Sequence, residues 1–190
     1  MKVIAFNGSP RLNGNTFTLI NSVFNVLNNE GIETELINIT TKPIRGCKAC
    51  NKCREYKNKK CVINNDLLNE YIDKMIEADG IILGSPVFFS NVTSEMKALI
   101  DRAGYVAKVN DDLFKRKVGA SVISVRRAGA TSVFSDINYF FLINQMIVPG
   151  SSYWNLGVGL DKGEVNNDTE GLQTMEKLGE NMAWLLKKIN

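Results

Sequence analysis

The chain has 190 residues, 44% of them hydrophobic and 23% charged, with a net charge of +3 and no histidine. Length and composition point to one globular domain, and the lack of histidine removes Ser–His and Cys–His catalysis and histidine-ligated metals from consideration. No apolar run approaches the roughly 20 residues of a bilayer span, and residues 1–6 are too short for a signal h-region, so a cytoplasmic protein with no membrane partner is expected.

Along the chain, the hydrophobic pattern alternates strand with helix. Residues 2–6 read as a short buried strand, followed by a polar, turn-rich stretch over 7–15. Ile20, Val23, Phe24 and Leu27 then mark one face of a helix that ends near Gly31. A second strand is expected at 32–39, and the cysteine-bearing segment follows it. Next come a helix from about 66 to 78, a buried strand at 80–84 and a helix at 93–103. A fourth strand falls at 118–125, a helix at 130–145 and the start of a fifth strand at 146–148. The last helix, about 169–188, repeats Leu172, Met175, Leu178, Met182, Leu185 and Ile189 at three- and four-residue steps, a core-packing stripe. Five strands alternating with five helices predict an α/β fold with a doubly wound parallel sheet. The whole of 1–190 reads as a single domain with a cysteine-rich insertion at about 42–65. Such sheets bind ligands beyond the carboxyl ends of their strands, at the topological switch point.

Three loops follow those strand ends. After the first strand, Asn7-Gly8-Ser9-Pro10-Arg11-Leu12-Asn13-Gly14-Asn15-Thr16 leads into a helix, so backbone amides and a helix N-terminus can face a phosphate. Ser9, Asn15 and Thr16 add side-chain hydrogen bonds, and Arg11 is the only cation. The loop fits neither the P-loop nor the G-x-G-x-x-G pattern, which disfavours nucleoside triphosphates and dinucleotides. Read plainly, it is a polar turn with Asn15 or Thr16 as N-cap. After the third strand, Ser85-Pro86-Val87-Phe88-Phe89-Ser90-Asn91 sets two aromatics beside backbone amides, which suits a planar ring. After the fourth, Arg126-Arg127-Ala128-Gly129 is basic and small.

All four cysteines, Cys47, Cys50, Cys53 and Cys61, fall in a C-x2-C-x2-C-x7-C run. Around them, residues 42–60 carry a net +7, which leaves the rest of the chain at −4. Such a run is a solvated surface loop or a cationic frame for thiolates that attracts an acidic partner. Nucleic acid is not expected, because only Tyr56 interleaves the cations. The continuous x2 spacing fits an iron–sulfur cubane better than zinc, whose sites use separated C-x2-C knuckles. Unligated redox thiols and, least of all, disulfides are the other possibilities.

The segments Gly8–Thr16 (GSPRLNGNT), Ser85–Phe89 (SPVFF) and Met96–Arg102 (MKALIDR) resemble those of the flavodoxin-like, NADPH-dependent FMN reductase superfamily. With the cysteine run, the chain is similar to its iron–sulfur flavoprotein branch, which pairs FMN with a [4Fe–4S] cluster. The resemblance implies a flavodoxin-like sheet of order 2-1-3-4-5 and an electron-transfer oxidoreductase whose chemistry resides on the flavin. It implies that Ser9, Arg11, Asn13, Asn15 and Thr16 hold the FMN phosphate. Pro86, Val87, Phe88, Phe89 and Asn91 would contact the ring and ribityl chain, with Arg126, Arg127 and Gly129 closing the other side. Cys47, Cys50, Cys53 and Cys61 would hold the cluster. An acidic donor such as ferredoxin, a small-molecule acceptor and a homodimer or homotetramer are implied as partners. Relatives commonly have tyrosine where this chain has Phe88, which removes a hydroxyl from the site. Two other readings stay open: a cluster-free NAD(P)H-dependent FMN or quinone reductase, and a non-catalytic zinc- or flavin-binding regulatory module.

Overall fold

The computed structural model describes residues 1–189. Five strands form one parallel sheet: β1 (Lys2–Asn7), β2 (Glu33–Asn38), β3 (Gly80–Pro86), β4 (Val118–Val125) and β5 (Leu156–Val158). Their order is β2-β1-β3-β4-β5, the flavodoxin-like order expected. Between and after them run α1 (Asn15–Asn29), α2 (Lys52–Tyr56), α3 (Leu68–Glu77), α4 (Ser94–Val109), α5 (Ala130–Ile143) and α6 (Thr169–Ile189).

The central strands read as continuous hydrophobic runs because both sheet faces are covered. Successive side chains alternate between two cores. Ile4, Phe6, Ile81, Leu83, Ile123 and Val125 pack with α3, α4 and α5 on one face. Val3, Ala5, Ile82, Val118, Ala120 and Val122 pack with α1 and α6 on the other. The chain leaves β1 toward β2, then returns to place β3 on the other side of β1. The switch point therefore lies between the carboxyl ends of β1 and β3, where the Gly8 amide donates to Gly84 O at 2.8 Å.

The sheet edges differ. β2 carries Glu35, which pairs with Lys2 at 2.7 Å and Lys74 at 2.5 Å, and Glu33, 3.5 Å from Lys2. The other edge is β5, only three residues long. The fifth strand is not at 146–148. Ile147 makes a single parallel bridge to Val118, and the pairing stops there. Pro149, two residues on, has no N–H to continue a ladder, and the chain rejoins the sheet only at Leu156, opposite Ile123. The one α-helix beyond the five expected, α2, is a single turn inside the cysteine segment and too short to show periodicity. Gly14, rather than Asn15 or Thr16, caps α1. No helix among the described residues is long and apolar enough to cross a membrane.

Helices α1 and α6 approach closely at Gly179, where an added Cβ would lie 2.8 Å from Val26 Cβ and 3.0 Å from Val23 O. Mid-helix Gly→Ala ordinarily gains about 1 kcal/mol, whereas overpacking costs about 1–3 kcal/mol. With a backbone oxygen and a Cβ as the obstacles, the steric cost wins. Gly179→Ala is expected to lower unfolding stability by about 1 kcal/mol, measured by urea denaturation.

Candidate functional site

Four strand ends converge on a crevice of about 280 Å³. Ser9, Pro10, Arg11 and Asn15 line it from the loop after β1, and Pro86, Val87 and Phe88 from the end of β3 and the loop beyond. Ser124 and Arg126 come from β4 and its end, and Gly159 and Leu160 from beyond β5. Two arginines and no acidic side chain line the crevice. Helix α1 opens onto it without a side-chain cap and without an acidic residue in its first turn, so its leading amides are available to an anion.

The polar side chains of the loop after β1 are largely engaged in shaping it. Ser9 Oγ accepts from Arg11 N at 3.2 Å, and Ser9 N donates to Asn7 Oδ1 at 3.0 Å. Asn15 Oδ1 accepts from Gly163 N at 2.9 Å and Val165 N at 3.5 Å, so it tethers the segment after β5. Thr16 is buried, with its hydroxyl 2.7 Å from that of Ser124. Arg11 Nη1 donates to Leu160 O at 2.9 Å and spans the crevice mouth. Asn13 and Arg127 are exposed and do not line the crevice.

The aromatic loop is a tight hairpin: Phe88 and Asn91 exchange both backbone hydrogen bonds at 2.9 Å. Its turn residues, Phe89 (φ 49°) and Ser90 (φ 59°), are both left-handed, a conformation usually left to Asn and Gly. Phe88 lines the crevice, while Phe89 stands fully exposed at the tip. Gly129 (φ 88°) lies directly behind it, where a Cβ would meet Ser90 Oγ at 2.7 Å.

The four cysteines line a second pocket, together with Arg102, Tyr105 and Val106 of α4. None is disulfide-bonded; Cys47 and Cys50 are exposed, Cys61 half-buried and Cys53 buried. Left-handed residues Ala49, Asn51, Lys57 and Lys59 wind the segment tightly. The Ala49 amide donates to Cys47 Sγ at 3.4 Å. Burial pushes the Cys53 thiol up, opposed by the Arg54 amide. The space among the sulfurs is about 20 Å³, roughly one water. Among the described residues no three Cys, Asp or Glu side chains converge tightly enough to hold a single ion.

Side chains of α3, α4 and the turn after α4 hold this segment. Tyr105 OH donates to Asn51 Oδ1 at 2.6 Å. Asn110 donates to Cys53 O at 3.3 Å and accepts from Lys59 N at 2.9 Å. Asn69 accepts from Cys61 N at 2.8 Å and donates to Cys61 O at 2.9 Å. Arg102 grips both ends. Nη1 donates to Arg45 O at 3.0 Å and Asp66 Oδ2 at 2.5 Å, and Nη2 to Ile63 O at 3.1 Å and Asp66 Oδ1 at 3.2 Å. The guanidinium is fully buried and the carboxylate nearly so. Burial would raise the Asp66 pKa, but Arg102 and the Arg45 and Leu68 amides outweigh it and hold the carboxyl below the usual carboxylate range. Sequence reasoning missed this clamp, although a lone arginine between Leu99, Ala103 and Val106 on an apolar helix face is a visible signal. It also missed Ser124, Gly159 and Leu160, which no local pattern marks.

The family model described as NADPH-dependent FMN reductase matches residues 1–161. The iron–sulfur flavoprotein MJ1083 of Methanocaldococcus jannaschii is 41% identical, the match covering 100% of this chain and 99% of that protein. The iron–sulfur flavoprotein of Methanosarcina thermophila is 34% identical, over 100% of this chain and 97% of its own. A solved flavodoxin from the domain Archaea superposes with a TM-score of 0.64 at 18% identity, over 98% of this chain and 99% of its own. RosB, crystallised with 8-demethyl-8-formylriboflavin-5'-phosphate, gives a TM-score of 0.75 at 17% identity, over 100% of this chain and 80% of its own. At those identities the two structures speak for the fold alone.

Removing one member of a buried ion pair leaves the other charge unanswered, at a cost of about 3–5 kcal/mol. Asp66→Asn is therefore expected to free residues 45–66 before the sheet melts. Limited proteolysis should cut first inside that segment, and a variant cut no faster there than the parent would contradict the clamp.

Proposed function

The chain belongs to the NADPH-dependent FMN reductase family, in its iron–sulfur flavoprotein branch, and from that premise we propose that it is an electron-transfer flavoprotein. In this reading the crevice binds FMN and Cys47, Cys50, Cys53 and Cys61 bind a [4Fe–4S] cluster. Electrons enter from an acidic, ferredoxin-like carrier and leave to a small-molecule acceptor. The observation that carries the reading is that one short loop brings all four cysteines to a single pocket floored by a buried arginine.

The donor set fits a polynuclear cluster. Each corner iron takes one thiolate, so the ligands are spread wider than around a single tetrahedral ion. An amide aimed at Cys47 Sγ suits a ligated sulfur. The room among the sulfurs is small, and Cys47 and Cys50 are exposed on its solvent side. Buried Cys53 is poorly placed to act as an exchanging thiol.

FMN supplies one- and two-electron chemistry and a cluster supplies single-electron storage. The chain's residues bind, orient and tune. The first-turn amides of α1 and Arg11 hold the phosphate in place of the Ser9, Asn15 and Thr16 side chains, which brace the loop. Pro86, Val87 and Phe88 form a wall for the ring, and Arg126 sets positive charge at its edge. No side chain need act as acid or base. Around the cysteines, Lys52, Lys57 and Lys60 are paired with Glu55, Asp111 and Asp73. Lys42, Lys48, Arg54 and Lys59 make no ion pair among the described residues and face an incoming acidic surface.

Protein purified without oxygen is expected to contain about four irons and four sulfides per FMN, and Cys53→Ser should lose iron while retaining flavin. Stoichiometric zinc, or flavin with no iron, would remove the cluster from this reading. Reduction by an acidic ferredoxin should slow steeply as ionic strength rises. A salt-independent rate would rule out the basic face as its docking surface.

A further inference from the structure

Arg102 is fully buried, and its guanidinium has five N–H donors. Four are accounted for by Arg45 O, Ile63 O and the two oxygens of Asp66. The fifth, on Nε, is buried with no hydrogen-bond partner. A buried donor left unmade costs about 1–3 kcal/mol, more for a charged group, so a side chain kept only to fasten the loop would be expected to use it. Arg102 also lines the cysteine pocket. Burial works against its charge, but Asp66 and then Cys61 keep the guanidinium firmly protonated.

We propose that Arg102 is a positioning residue of the metal centre, its Nε–H donating to the sulfur of Cys61 when that cysteine is a ligand. The proposal rests on the cluster reading above. The Asp66 clamp holds the guanidinium fork in place, and Asn69 holds the backbone of Cys61, which lines the same pocket. A hydrogen bond to a ligand sulfur withdraws negative charge from the cluster and favours its reduced form. Lysine would keep the charge but lose the planar fork.

The test compares the anaerobically purified holoprotein with its Arg102→Lys and Asn58→Ala variants. Asn58→Ala removes another hydrogen bond of the same segment, from Lys60 N, at an exposed position outside the cysteine pocket. Arg102→Lys is expected to make the cluster about tenfold harder to reduce, a fall of about 59 mV for one electron, while Asn58→Ala leaves the potential in place. Iron lost from Arg102→Lys follows from the altered Asp66 clamp alone, so the decision then passes to the labelled parent protein. A cluster retained at the parent potential overturns the proposal. Should Arg102→Lys fail to fold, the unaltered protein made with isotope-labelled arginine answers instead. Pulsed paramagnetic resonance of its reduced cluster is expected to show coupling to the Arg102 Nε nitrogen, and no coupling overturns the proposal. If the parent itself contains no iron, the cluster reading fails first and separately.

Discussion

A positive charge placed in a protein interior has to be answered by groups the protein itself supplies, and at Arg102 those groups belong to the cysteine segment. Two carbonyls and one carboxylate, from Arg45, Ile63 and Asp66, surround the guanidinium. If the segment detaches, the charge is stranded under apolar side chains of α4; if it stays, its two ends are drawn together over a buried ionic bond. The loop is thus held by a desolvated charge as well as by its own apolar contacts, Ile44 and Cys53 among them. A segment with net +7 would otherwise repel itself and the cation beneath it, and Asp66 is the anion that makes the arrangement tolerable.

Helix α4 takes part in both sites. At its start, Thr93 caps the helix and donates to Gly8 O at 2.9 Å, inside the loop that shapes the crevice. Two to three turns later Arg102 and Tyr105, and beyond the last turn Asn110, hold the cysteines. From Thr93 to Arg102 is about 14 Å of helix. A rigid rod of that length fixes the distance between the two sites in one chain, independent of the loops that decorate them. The strained Phe88–Asn91 hairpin lies just before this helix, so its position is inherited from the same rod.

The fold was legible because its central strands are buried on both faces and its longer helices carry clean apolar stripes. β5 was not, since Leu-Gly-Val is too short to carry a period and its place is set by pairing with Ile123 and its neighbours. The site loops were visible in composition, but the duties of their side chains were not. Thr16 meets Ser124 from 108 residues away and Asn15 meets Gly163 from 148 away, distances that no local pattern reports. The chemistry that looked available to a ligand is therefore partly consumed in holding the loop, and the backbone and arginines carry what is left. Arg102 was in view within a family-like helix, yet its meaning depended on Asp66, 36 residues earlier.

The two margins of the sheet are guarded in different ways. β5 is too brief to template another strand, and β2 carries Glu33 and Glu35 with their lysine partners along its length. Proteins with open margins risk adding foreign strands and growing into fibrous aggregates. Here charge on one border and brevity on the other keep the sheet from lengthening.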